Sequence, residues 1–161
     1  EPDWLGGYSE PDILLFNPHQ GLINIEVKFT SPNDDKLRND TNKERKKRAQ
    51  KMIDLGQNYV KTTQVEDWIW YELLRMWVPG CLVTERMNLE SFTLVNLLPQ
   101  SQLYKENDEV MHEMNNCINY SKQFHFKQVT WEDFLHTIQN FQTIFDDQFW
   151  TYINRKFPHF T

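Results

Sequence analysis

Cysteine is scarce in this 161-residue chain: the two present, Cys81 and Cys117, lie far apart and have no Cys or His beside them at metal-ligand spacing. That argues against a disulfide framework and a cysteine-built zinc site, and it leaves both as core thiols. Long apolar runs are missing too. No stretch of 18 or more apolar residues occurs, and the first residues lack the basic-then-apolar layout of a secretory signal. A cytoplasmic protein with no membrane partner is therefore expected. Five glycines and seven prolines are spread as punctuation, and neither an internal repeat nor a low-complexity tract is visible. With 39% hydrophobic and 14% aromatic residues, residues 1–161 suffice for a single domain around one core. The chain starts at Glu1 without an initiator Met, so it reads as a segment of something longer.

Positive charge is in deficit overall, with a formal net charge of -6, but it is unevenly placed. Eight of the 17 basic residues lie between Asp34 and Lys51 against four acids, so that segment is +4 and the remainder -10. Screening limits distant charges to roughly 8 Å at physiological salt, so a local basic patch can attract a polyanion despite an acidic total. Arg45, Lys46, Lys47 and Arg48 are the candidate nucleic-acid contacts. A solvated helix face is the competing reading.

Asp12 to Phe16 reads as a short strand and Leu22 to Phe29 as a second, with Asn17-Pro-His-Gln-Gly21 as the turn of a hairpin. Ala49, Met52 and Ile53 share one face of an amphipathic helix from about Asn42 to Leu55, ended by Gly56. A nearly all-apolar helix is expected from Val65 to Val78, stopped by Pro79-Gly80. Ser91 to Leu98 reads as a strand, the polar region from Gln100 to Tyr120 as containing one helix, and Phe124 to Val129 as a last strand. Thr130 and Asp133 form a capping box opening a helix through about Phe141, and a final helix spans Asp146 to Lys156. The order implies an α/β sandwich, a mixed central sheet flanked by helices.

Within the second strand Ile23, Ile25, Val27 and Phe29 alternate with Asn24, Glu26 and Lys28. The apolar set is expected to seal the core, leaving Glu26 and Lys28 together on the opposite face, where an uncompensated charge is costly. The hairpin brings Asp12 towards them. Two carboxylates and an ammonium suit phosphodiester hydrolysis: carboxylates hold a hard divalent cation, and lysine steers the attacking water or the phosphate. The competing reading is a same-face ion pair on an edge strand, worth about 0–1 kcal/mol.

Pro11-Asp12, thirteen residues, then Glu26-Val27-Lys28 resembles the Pro-Asp…(Asp/Glu)-x-Lys signature of the PD-(D/E)xK nuclease superfamily, in a bacterial branch. The likeness extends through the Tyr71 to Trp77 segment, the strand with Leu94-Val95-Asn96-Leu97 and the Thr130-Trp131-Glu132 helix. It implies a restriction-endonuclease-like fold and an Mg²⁺- or Mn²⁺-dependent endonuclease, with DNA as the preferred substrate. It also implies Asp12, Glu26 and Lys28 as catalytic residues, with Asp12, Glu26 and the Val27 carbonyl on the metal. The family usually opens with a helix that can carry a further acid, and only eleven residues precede Asp12 here. Glu10 is the nearby substitute, or else a solvated turn glutamate.

Arg75, a guanidinium on an otherwise apolar helix, is a further candidate for phosphate, or else pairs with Glu72 or Tyr71. The histidines form no constellation. The alternative function is a non-catalytic nucleic-acid-binding or assembly module on the same fold, within a larger defence or repair protein.

Overall fold

A computed structural model describes residues 11–28, 41–64, 70–139 and 147–156. Strands β1 (Ile13–Asn17) and β2 (Gly21–Val27) form the hairpin; Gly21, at φ +140°, closes its turn, and a Cβ there would meet the Ser91 carbonyl oxygen. Next come α1 (Lys43–Leu55), α2 (Tyr71–Arg86), β3 (Phe92–Leu98), α3 (Gln100–Cys117), β4 (Phe124–Thr130), α4 (Trp131–Gln139) and α5 (Asp147–Lys156). The sheet runs β1-β2-β3-β4, with β1 antiparallel to β2 and the other three parallel. The chain is thus α/β, with a four-stranded mixed sheet and helices. No helix among the described residues is long and apolar enough to cross a membrane.

Local signals account for most boundaries. The Asn42 side chain accepts from the backbone N–H groups of Glu44 and Arg45, starting α1, and the Gly56 N–H closes it on Met52 and Ile53. Asp133 N–H donates to Thr130 Oγ1 at 2.9 Å, so the Thr130 half of the capping box forms; the shorter aspartate accepts from the Thr130 hydroxyl at 2.7 Å, where the full motif has a carboxylate accepting from the cap backbone N–H.

Two expectations are corrected. Pro79 and Gly80 do not stop α2, which continues to Arg86. An interior proline costs about 3 kcal/mol, but Trp77, Val78, Cys81 and Thr84 are all buried on either side of it, and each fully buried large apolar side chain contributes about 1.5–3 kcal/mol. Gly80 lets the helix approach β3, since a Cβ would fall 2.1 Å from the Phe92 ring. The proposed start of this helix, residues 65–69, lies outside the described residues, as do Glu10, Phe29 and the end of the fourth helix at Phe141.

The second correction concerns the faces of the sheet. In register, Leu22 lies beside Phe92 and Phe124, and Asn24 beside Leu94 and Phe126. The apolar members of these two rows join α2 residues in the main core. Glu26 and Lys28 have the same parity as Leu22, so they project from the core face, not the opposite one. Ile23, on the other face, is 37% exposed, although further along that face Ile25 and Leu97, the latter beside Val27, are buried. The alternation within β2 was real, but the aromatics of β3 and β4 decide which face the helices cover.

β1 is an outer strand of the sheet and carries four consecutive apolar residues, Ile13 to Phe16, all exposed, with Leu14 at 57%.

Candidate active site

The parallel strands β2, β3 and β4 end along one edge of the sheet, the edge at which open α/β sheets bind ligands. Near it Glu26, Asn96 and Gln128 stand abreast. Lys28 follows β2 directly; its N–H donates to the Leu97 carbonyl at 2.7 Å, and its own carbonyl accepts from Trp131 Nε1 at 3.0 Å. The end of β2 is therefore held both by β3 and by the first residue of α4.

Lys28 Nζ donates to Glu26 Oε1 and to Glu72 Oε2, both at 2.7 Å. Glu26 and Lys28 are buried and Glu72, on α2, is half-buried. Two carboxylates against one ammonium leave a surplus negative charge in a poorly solvated place. Burial, with the neighbouring Glu72 carboxyl adding to it against the pull of Lys28, pushes Glu26 up to about 7. Burial alone would draw the Lys28 ammonium down, but its two carboxylate partners outweigh this and hold it above the ordinary lysine range. Near neutrality the trio thus balances between net zero and one negative charge.

Asp12 meets this group through the backbone. Its Oδ2 accepts from the Val27 N–H at 2.8 Å, extending the β1–β2 ladder beyond Ile13 and Ile25. Asp12 is thus tied to the peptide between Glu26 and Lys28, but it is exposed while Glu26 and Lys28 are enclosed, and no side-chain contact joins it to them among the described residues. Among the described residues no three His, Cys, Asp or Glu side chains gather closely enough to hold a metal ion.

Of the partners the sequence offers Arg75, the structure shows Tyr71, while Glu72 on the same helix gives its carboxylate to the Lys28 ion pair. The Arg75 guanidinium lies over the Tyr71 ring, 5.3 Å from the centroid, and Arg45 of α1 lies over the same ring at 5.8 Å. Two candidates from separate segments thus share one buried tyrosine, the residue before Glu72. Lys46 and Arg48 are half-buried on α1, and Lys47 is exposed.

Three polar residues of this region escaped the reading of the sequence. The sequence offers Glu72 as a helical partner for Arg75, and the signal of a further role is an acid on a helix otherwise nearly all apolar. Asn96 interrupts the run Leu94-Val95-Asn96-Leu97-Leu98 and is 0% exposed, and Gln128 stands beside it in register. Both amide atoms of Asn96, both of Gln128, and Asn24 Oδ1 are buried without a hydrogen-bond partner among the described residues. Each such atom costs about 1–3 kcal/mol if left unsatisfied.

No protein-family model, curated protein or solved structure matches this chain.

Proposed function

We propose that the chain is a metal-dependent endonuclease of the restriction-endonuclease-like type, hydrolysing nucleic-acid phosphodiester bonds, with DNA the substrate that its resemblance favours. One observation carries the reading: Lys28 is enclosed between Glu26 and Glu72 at the carboxyl ends of parallel strands, beside the peptide that Asp12 holds. A purely structural ion pair has little need of a third charge at a site this poor in water.

The donor chemistry suits Mg²⁺ or Mn²⁺, since Asp12, Glu26 and the Val27 carbonyl are hard oxygen donors on adjoining residues of the hairpin. The cation would supply Lewis acidity, polarising the phosphoryl oxygen and acidifying water. The remaining work falls to the protein. Lys28, kept charged by its two carboxylates, offers its ammonium to the negative charge that grows on the phosphate. Glu72, half-buried beside Lys28, would accept a proton from the attacking water. Glu72 thereby takes the place of the helical acid that the family carries ahead of its motif, reached from a helix after the motif. Arg45 and Arg75, both over the Tyr71 ring, would add positive charge for the substrate backbone on this side of α1 and α2.

The same cluster gives a second reading its support. Lys28 already bridges both carboxylates, as it would in a non-catalytic nucleic-acid-binding module whose charges only pin α2 to the sheet. Calorimetric titration with Mn²⁺ alongside Mg²⁺-dependent plasmid cleavage separates the two. Metal binding lost in Asp12→Ala and Glu26→Ala, together with cleavage by the parent, supports the nuclease; DNA binding with neither metal uptake nor cleavage supports the module.

A further inference from the structure

Resting on the hydrolytic reading above, we infer that Asn24, Asn96 and Gln128 form an enclosed hydration site that holds ordered water against Glu26, with Asn96 as its central positioning residue.

The placement comes from the register of three strands. Glu26, Asn96 and Gln128 are lateral neighbours on one face of the sheet, and Asn24 precedes Glu26 by one pleat on that face. All four therefore border one strip of the core side. The five amide atoms named above have no partner among the described residues, and Asn96 is wholly buried. Native proteins rarely leave such atoms unpaired, so a ligand must meet them.

The chemistry of the amides selects that ligand. Asn96 and Gln128 each present donors and an acceptor, and both kinds of atom are unpartnered. A cation would satisfy only the carbonyl oxygens and an anion only the NH₂ groups. Water donates and accepts, and it is small enough to be enclosed beside a side chain with no exposed surface. Gln128 is half-buried on β4, the outer strand opposite β1, so the strip runs from that side of the sheet through Asn96 to Glu26. Water held along it stands next to the carboxylate cluster that hydrolysis would use.

The test is a high-resolution crystal structure of the chain, combined with kinetics of Asn96→Leu, Asn96→Ser and Gln128→Met. Ordered water bonded to the Asn96 and Gln128 amides is expected in the parent and lost from Asn96→Leu. In that variant kcat for Mg²⁺-dependent DNA cleavage should fall on the order of 10²-fold at unchanged KM, as expected when a reacting group is misplaced. Asn96→Ser, which can still bond water, should recover most of the rate. Direct amide-to-amide bonding between Asn96 and Gln128 with no water between them would overturn the site. Parent kcat in Asn96→Leu with a raised melting temperature would do the same. Should Asn96→Leu fail to fold, Gln128→Met, near the surface, carries the same comparison. If the parent cuts no nucleic acid, the hydrolytic reading falls, and the crystallographic result alone decides the hydration site.

Discussion

Lys28 and Glu72 are joined by a 2.7 Å ion pair across 44 residues of chain, tying the end of β2 to the first turn of α2. Glu26 shares the same ammonium, so the effect of removing each partner depends on which charge remains. Lys28→Met would leave two carboxylates facing each other in a poorly solvated site. Breaking a buried pair costs about 3–5 kcal/mol, and the lower end applies here because Glu72 is partly solvated. Denaturant unfolding should show that loss growing as pH rises above about 7, where the parent's Glu26 is ionised against Lys28, and much less of it at lower pH; without the ammonium Glu26 holds its proton to a higher pH still. Equal destabilisation at both pH values would mean that the ammonium does not compensate Glu26.

Glu72→Gln should behave differently. It removes the surplus negative charge and leaves Lys28 paired one-to-one with Glu26, so the melting temperature should hold or rise. Cleavage should nonetheless fall by about 10²-fold, the contribution expected of one proton-accepting group. A Glu72→Gln protein with parental cleavage would confine Glu72 to a structural role.

For Asp12 and Glu26 the expectation is loss of Mg²⁺-dependent cleavage with the fold retained. Asp12→Ala gives up a bond from the Val27 N–H at an exposed position, a net loss of about 0.5–1.5 kcal/mol. A thermal melt and an oligonucleotide cleavage assay on the same sample separate a lost site from a lost fold. Retained cleavage in either variant would remove the site proposed.

The raised Glu26 fixes the sign of a pH effect on stability. Its carboxyl titrates near 4.5 when unfolded and at about 7 when folded, so between those values the folded state binds more protons than the unfolded one. The contribution to stability is therefore complete below about 4.5 and is lost as pH rises through about 7. Glu26→Gln should flatten this part of the stability profile. A parent profile that climbs across the window, and climbs equally in the variant, would show that Glu26 titrates normally.

Much of this was legible in the sequence because the signals were local. Asn42, Gly56, Thr130 and Asp133 act on their own helix ends, and the Asp12 to Lys28 hairpin declared itself by its turn and its alternating residues. What was not legible depended on partners distant in the chain. Nothing near Pro79 reveals that Phe92 will pack against Gly80 and hold the helix together past the proline. β2 alone cannot say which of its faces the helices cover; that rests on Phe92, Leu94, Phe124 and Phe126, which come more than 60 residues later. Glu72 was visible as a misplaced acid, but its partner was sought one helical turn away rather than on the sheet.

Arg45 and Arg75 offer a measurement independent of catalysis. If both neutralise backbone phosphates, replacing both by Gln should reduce the slope of log K against log salt by about 1.8 for duplex DNA, at about 0.9 per contact, or about 1.4 for a single strand. The loss should be similar across sequences, since phosphates carry no base identity. Tyr71→Phe should leave the slope intact because it keeps the ring beneath both guanidiniums. Fluorescence titration in EDTA excludes cleavage from the reading. An unchanged slope in the double variant would return these arginines to a role in packing α1 against α2.

Among the described residues no strand pairs with the outer edge of β1, and its exposed apolar residues bear on how the protein behaves in the tube. Natural outer strands usually carry a lysine, a proline or a bulge that discourages edge-to-edge pairing, and Ile13 to Phe16 have none of these. Concentrated samples should therefore stack through this strand, and Asp12, one residue upstream, would be sequestered as they do. Specific activity should then decline as protein concentration rises, in step with the sedimentation of larger species. Leu14→Lys, placed as a gatekeeper on the edge, should restore dose-proportional rates.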